Sequence, residues 1–277
     1  MSDLALISRA ESPWIPGAAL AAVTAAAAGA WIVLAERMAG MDMGPGGDPG
    51  TLGWFALTWA LMTAAMMLPA SAPAVTRLVR GRRAEAPAAA VLFLAGYAAV
   101  WMLAGLAAYG VVEGIRGLHA GVLEWSSAGR YVAAGGLVAA GLYQLTATKR
   151  RWLARCTAPG RPGLRGPAAA VRAGVEHGGC CVACCWTLMT ALYALGIMSL
   201  TWMAVVTVLI VSERVLRPPA IIVRGVAAVL VVLGIAVAAA PTSVPGLTIP
   251  ATAAPAMGSP AMASPGMASP AMTGMQR

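Results

Sequence analysis

Charge is what this chain has least of. Charged residues make up 10% of the 277, against about 25% in an ordinary soluble domain. Ten acidic side chains and two histidines leave little material for acid–base chemistry. Paired carboxylates in a credible site, a Ser-His-Asp set and a phosphate-cradling glycine loop are all missing. The chain has no Cys-x-x-Cys-His and few histidines, which argues against haem. Five cysteines, four of them in one run, do not make the framework of a disulfide-stapled secreted domain. The net charge of +9 does not point to nucleic acid either. Its arginines fall in loops between apolar runs, not on a face interleaved with stacking aromatics.

Apolar sequence fills the rest. Hydrophobic residues are 60% of the chain and the mean hydropathy is +0.77, the composition of an all-α bundle of transmembrane helices. The runs predict about seven spans: Trp14 to Ala35, Leu52 to Ala70, Pro87 to Val112, Tyr131 to Ala147, Cys180 to Met198, Leu200 to Val215 and Pro219 to Ala240. The first is longer than a signal-peptide core and lacks a preceding basic cluster, so it reads as an uncleaved helix. Pro69 and Pro73 are expected to end or kink the second. In the third, the small residues Gly96, Ala99 and Gly105 favour close helix contact.

Three regions follow. Residues 1–50 hold the first span and a turn-forming loop with Met38, Met41 and Met43. Residues 51–240 form the helical membrane domain. Residues 241–277 are rich in Ala, Pro, Ser and Thr, with methionines at a spacing of five (Met257, Met262, Met267, Met272) and then Met275. Nothing there builds a core, so this tail reads as disordered, its thioethers strung along a flexible chain.

Basic residues orient the bundle. Arg77, Arg80, Arg82 and Arg83 follow the second span. Lys149, Arg150, Arg151, Arg155, Arg161, Arg165 and Arg172 follow the fourth, and Arg214 and Arg217 follow the sixth. Alternate loops carry only Arg37, Arg116 and Arg130. The N-terminus is therefore expected inside and the tail outside.

Sulfur is concentrated in one place. Cys180, Cys181, Cys184 and Cys185 lie within six residues, next to His177. On a helix they fall at about 0°, 100°, 40° and 140°, sharing one side, with Met189 one turn beyond Cys185. Met62 and Met66 are four apart in the second span, with Met67 beside them. Thiolates and thioethers on one face make a soft-ligand surface suited to Cu(I). Zinc asks for a tetrahedron that one helix face supplies poorly, and harder ligands are few.

The chain also resembles a family of bacterial polytopic proteins catalogued as predicted metal-binding integral membrane proteins. The resemblance rests on Met62 to Pro69, on Phe93 to Tyr97 with Trp101, and on Gly141 to Thr146. It rests further on His177-Gly178, Cys181, Cys184-Cys185-Trp186, Leu188-Met189, Gly196 to Met198, Trp202-Met203 and Glu213. It covers about Leu52 to Arg217 and implies a polytopic bacterial membrane protein with a metal site. Two departures stand out. Trp152 occupies the place of a first loop cysteine, leaving only Cys156, and Cys180 is an additional thiol.

These readings converge on a bacterial inner-membrane protein that binds Cu(I), and delivers or transports it, rather than an enzyme. Cys181, Cys184 and Cys185 form the expected core, with Cys180, Cys156 and His177 as partners and Met62, Met66 and Met67 approaching from the second span. The expected partners are the lipid bilayer and a soluble copper chaperone or a metalloenzyme. Two alternatives stand beside this one. One is a membrane thiol–disulfide oxidoreductase using Cys181 and Cys184, its thiolates favoured by a helix N-terminus. The other is an assembly or structural subunit of a metalloenzyme.

Overall fold

A computed structural model describes residues 14–38, 50–80, 85–118, 129–158, 166–195, 199–216 and 219–241. Among them are eight α-helices and no strand. They are α1 (Trp14–Met38), α2 (Leu52–Val79), α3 (Ala86–Leu118), α4 (Arg130–Gln144), α5 (Ala147–Thr157), α6 (Pro167–Leu195), α7 (Leu200–Val215) and α8 (Pro219–Ala239). The tail from residue 242, Met41, Met43 and Met198 lie outside the described residues.

Five helices are long and apolar enough to cross a membrane: α1, α2, α3, α6 and α8. The other two expected spans form as helices but are short. α4 has 15 residues and α7 has 16, about 23 Å each at 1.5 Å per residue. A bilayer core of about 30 Å exceeds either. Seven spans therefore go beyond what these lengths establish.

α6 is the hub. It packs against α3, α4, α5 and α7, while α1 lies on α2 and α4 on α8. Glycines set the closest approaches. A Cβ added at Gly174 would collide with the carbonyl of Phe93, and one at Gly96 with that of Val171, so α3 and α6 touch backbone to backbone. Gly105 admits the Trp59 indole, whose Nε1 donates to the Trp101 carbonyl at 2.8 Å. Ala99, expected in such a contact, is exposed instead. Gly141 and Gly234 are reciprocal, each facing the partner helix across the α4–α8 contact. Because the Gly174 collision is with backbone, no rotamer relieves it. Gly174→Val should destabilise the fold by about 3 kcal/mol or more, at the upper end of overpacking costs, read by thermal unfolding in detergent; Gly179→Ala, with open space around it, should be nearly neutral.

Three expectations need correction. Of the two outcomes expected at Pro69 and Pro73, an end or a kink, the end does not occur: α2 continues to Val79. A proline at 69 lacks the N–H that would bond the Ala65 carbonyl. The indole of Trp31 on α1 supplies the donor instead, at 3.1 Å. Nearby, Ser71 Oγ donates to the Leu68 carbonyl, and Arg77 Nε to that of Pro73. A neighbouring helix thus supplies the donor that Pro69 lacks.

The fifth apolar helix begins at Pro167, well before the cysteines. Ala168 to Ala170 favour the helix, and Arg172 bonds Glu176 one turn on at 3.0 Å. The cysteine run therefore sits near the middle of α6 rather than at its start. The expected basic loop after the fourth span also contains α5. Thr146 starts that helix, its side chain accepting from Lys149 N at 3.2 Å.

Candidate functional site

Helical register explains which thiols meet. Cys181, Cys184 and Cys185 stand at i, i+3 and i+4 on α6, so they share a face. All three are buried, as is Cys156 from α5. Cys180, about 100° around from Cys181, is only half-buried. The five cysteines are free. Cys184 Sγ lies 3.4 Å from Cys185 Sγ and 3.8 Å from Cys156 Sγ.

At the centre of the cluster is a cation from the protein itself. Arg214, at the C-terminal end of α7, places Nη2 2.9 Å from Cys181 Sγ and 3.2 Å from Cys184 Sγ. Cys185 and Cys156 follow at 3.7 and 3.8 Å. One guanidinium nitrogen carries two hydrogens, so it cannot bond four sulfurs individually. Charge gathers them around one point. Among the described residues no group of three or more His, Cys, Asp or Glu side chains is arranged to hold a metal ion as it stands. Arg214 occupies the space between the sulfurs.

The Gly141 to Thr146 stretch and α5 bring Cys156 to this place. Tyr143 donates its hydroxyl to the Ala183 carbonyl at 2.8 Å and meets Trp186 edge-on. Thr146 then turns the chain into α5. Lys149, one turn before Leu153, is wholly buried. Its Nζ donates to the Cys184 carbonyl at 2.6 Å and to Glu213 Oε2 at 2.7 Å. It therefore ties α5 to α6 and α7. A basic residue read from sequence as a loop charge is a buried strut. At the far end of α5, Arg77 of α2 donates to the Thr157 carbonyl at 2.8 Å.

The electrostatics follow from burial and neighbours. The neighbouring Cys180 thiol pushes the Cys156 thiol up to about 12; Cys184 pulls it the other way, and burial adds to the rise. Burial pulls the Lys149 ammonium down, but Cys185 and Glu213 outweigh it and hold the group above its ordinary value.

The remaining expected residues are near but not equivalent. Met62, Met66 and Met67 are buried in the same core as Cys156, Cys181, Cys184 and Cys185. Tyr97 stands between the two sets: its hydroxyl is 3.2 Å from Cys181 Sγ and 3.4 Å from the Met67 carbonyl. His177, one turn before Cys181, packs on the rings of Phe93 and Tyr97 with centroids 5.7 Å away in each case. Its Nε2 is buried and has no hydrogen-bond partner among the described residues. The structure brings four thiols together and sets the methionines and His177 around them.

Sequence reasoning missed Arg214, Lys149, Gln144 and the structural role of Tyr97. Arg214 and Lys149 were spent on orientation, which takes any basic residue near an apolar run as a loop marker. The usable signal was Gln144, a lone amide among apolar residues, and Glu213-Arg214 closing an apolar helix. Gln144 is fully buried with both amide atoms unpartnered among the described residues. It lines a cavity of about 280 Å³ shared with Arg150, Glu213, Arg214 and Arg224. That cavity abuts the sulfur cluster through Arg214.

With this geometry in view, the family model PpoB2, described as a copper chaperone, matches residues 56–237. No curated protein and no solved structure matches the chain. The match runs from α2 to the end of α8 and contains every residue of the cluster. The chain belongs to this family.

Proposed function

We propose, starting from that membership, that the protein is a bacterial inner-membrane Cu(I)-handling protein that receives copper in the cage of Cys156, Cys181, Cys184 and Cys185. One observation carries the reading: four buried sulfurs surround a single cationic nitrogen within 3.8 Å. The donor set is soft and almost wholly sulfur, which suits Cu(I). Two sulfurs bound to one ion at about 2.3 Å each lie about 3.8–4.0 Å apart at tetrahedral to trigonal angles. The 3.8 Å between Cys156 and Cys184 meets that spacing. Met62, Met66 and Met67 form the thioether approach, and Cys180 and His177 stand at the margin. Copper is cargo here, passed to or from a soluble copper chaperone or a metalloenzyme. Seven helices crossing the bilayer, with the N-terminus inside, put the methionine tail outside the cell membrane and the cage toward the cytoplasmic half.

Zinc fits less well, since harder ligands are scarce around the cage. The oxidoreductase alternative loses the helix N-terminus, since Cys181 and Cys184 lie mid-helix, and keeps only the Arg214 cation beside the two sulfurs.

Elemental analysis of detergent-purified, reduced protein tests the reading. After equilibration with Cu(I) and Zn(II) together, about one copper per chain is expected. Retention of zinc in its place would refute it. Topology has its own check: a reporter fused after Arg277 should be active outside the cytoplasm, and cytoplasmic activity would reverse the orientation.

A further inference from the structure

Arg214 faces two ways. Its Nη2 is inside the sulfur cage, while the side chain also lines the 280 Å³ cavity with Gln144 and Glu213. Among the residues lining this cavity, Gln144 and Glu213 each have an Oε1 that is a buried acceptor without a partner among the described residues. Arg214 Nε is a buried donor likewise unpartnered. Buried polar atoms left this way are costly, and a rearrangement that pairs them is favoured. The cavity has room: a guanidinium of four heavy atoms needs on the order of four water volumes, about 120 Å³.

We infer that Arg214 is the exchangeable occupant of the cage. Arriving Cu(I) displaces its guanidinium from between the sulfurs, and the group moves into the adjoining cavity, where Gln144 and Glu213 accept its N–H bonds. This rests on the proposed copper reading. The exchange is a ligand substitution. Cu–S bonds form as the ligands that brought the ion leave, N–H···S contacts break, any displaced thiol proton passes to solvent, and copper stays Cu(I) throughout.

The exchange also supplies selectivity. One positive charge leaves the buried cage as Cu(I) enters, so the exchange of cations leaves the charge unchanged and only released thiol protons alter it. Zn(II) would bring an additional charge into the same dry site, where unbalanced charge is expensive. Arg214 is thus a specificity-determining residue as well as a placeholder. Lys149 does not share this role, because its ammonium is fixed to Glu213 Oε2 and the Cys184 carbonyl.

Arginine-specific labelling of the wild-type, full-length protein decides the matter. Reduced protein in detergent is treated with phenylglyoxal before and after one equivalent of Cu(I), supplied as its acetonitrile complex. Modification of Arg214 is read by peptide mass spectrometry against Arg172, an exposed arginine that makes no contact with the cage sulfurs among the described residues. Arg214 labelling should rise several-fold on copper loading while Arg172 is unchanged. Copper bound with Arg214 labelling unchanged would overturn the exchange and leave the copper reading standing. No copper bound would overturn both. Arg214→Gln gives a second measure: it should take up Cu(I) faster and discriminate less against Zn(II), and unchanged rate and discrimination would count against the proposal.

Discussion

Cys184→Ser should weaken Cu(I) binding by about 100-fold or more, while Cys180→Ser should change it little. Even residues that only orient a metal ligand are worth about 10–100-fold in affinity, and Cys184 is placed to be a ligand itself. Its sulfur is the most connected in the cluster, within 3.8 Å of Cys156, Cys185 and the Arg214 nitrogen. Serine keeps the size and replaces a soft donor with a hard one that Cu(I) disfavours. Cys180 is half-buried on the rim and is not among the sulfurs around Arg214. Competition with a chromophoric Cu(I) chelator on the purified variants measures both. Equal losses at the two positions would mean that proximity in sequence, not the cage, governs binding. The unfolding midpoint of Cys184→Ser, compared with wild type, separates a ligand effect from a packing effect.

Where side-chain period and composition speak directly, the sequence was readable. The helical class and the positions of α1, α3, α7 and α8 follow from runs of apolar residues of the right length. The grouping of Cys181, Cys184 and Cys185 follows from their i, i+3, i+4 spacing. Reading stopped where a partner elsewhere in the chain decides the outcome. Nothing near Pro69 indicates that Trp31, on another helix, bonds the Ala65 carbonyl. Nothing near Cys156 indicates that α5 folds back against the middle of α6. The charged residues were the hardest. Arg77 and Lys149 are indistinguishable by local sequence from the basic residues that mark loops, and Arg214 is set apart only by Glu213 beside it. Yet Lys149 is wholly buried and Arg214 reaches into the cage. A basic residue is a topology signal only if it stays in water, and that depends on whether a carboxylate or thiol waits for it in the fold.

The buried ion pair behind the cage gives the largest stability effect. Glu213→Ala leaves the Lys149 ammonium without its carboxylate in a place where its side chain is 0% exposed. Breaking such a pair by removing one partner costs about 3–5 kcal/mol, because the remaining charge is uncompensated. The protein should unfold at a markedly lower temperature in detergent, and copper uptake should fall by more than the folded fraction does, because an acceptor proposed for the displaced Arg214 is removed as well. Lys149→Met with Glu213→Leu removes both charges and keeps most of the volume. Apolar replacement of a whole buried pair is often neutral, so the double variant should recover about half of the loss. It would still lack the 2.6 Å bond from Lys149 to the Cys184 carbonyl, worth about 1.5–3 kcal/mol for a charged donor. Recovery of stability without recovery of copper affinity would show that the pair also serves the cage, through the Lys149 bond to the Cys184 carbonyl or through Glu213 as acceptor of the displaced Arg214. Recovery of both would make the pair a fold element alone and would count against Glu213 as acceptor of the displaced Arg214. A double variant no more stable than Glu213→Ala would mean that the charges themselves stabilise the bundle, contrary to the desolvation argument.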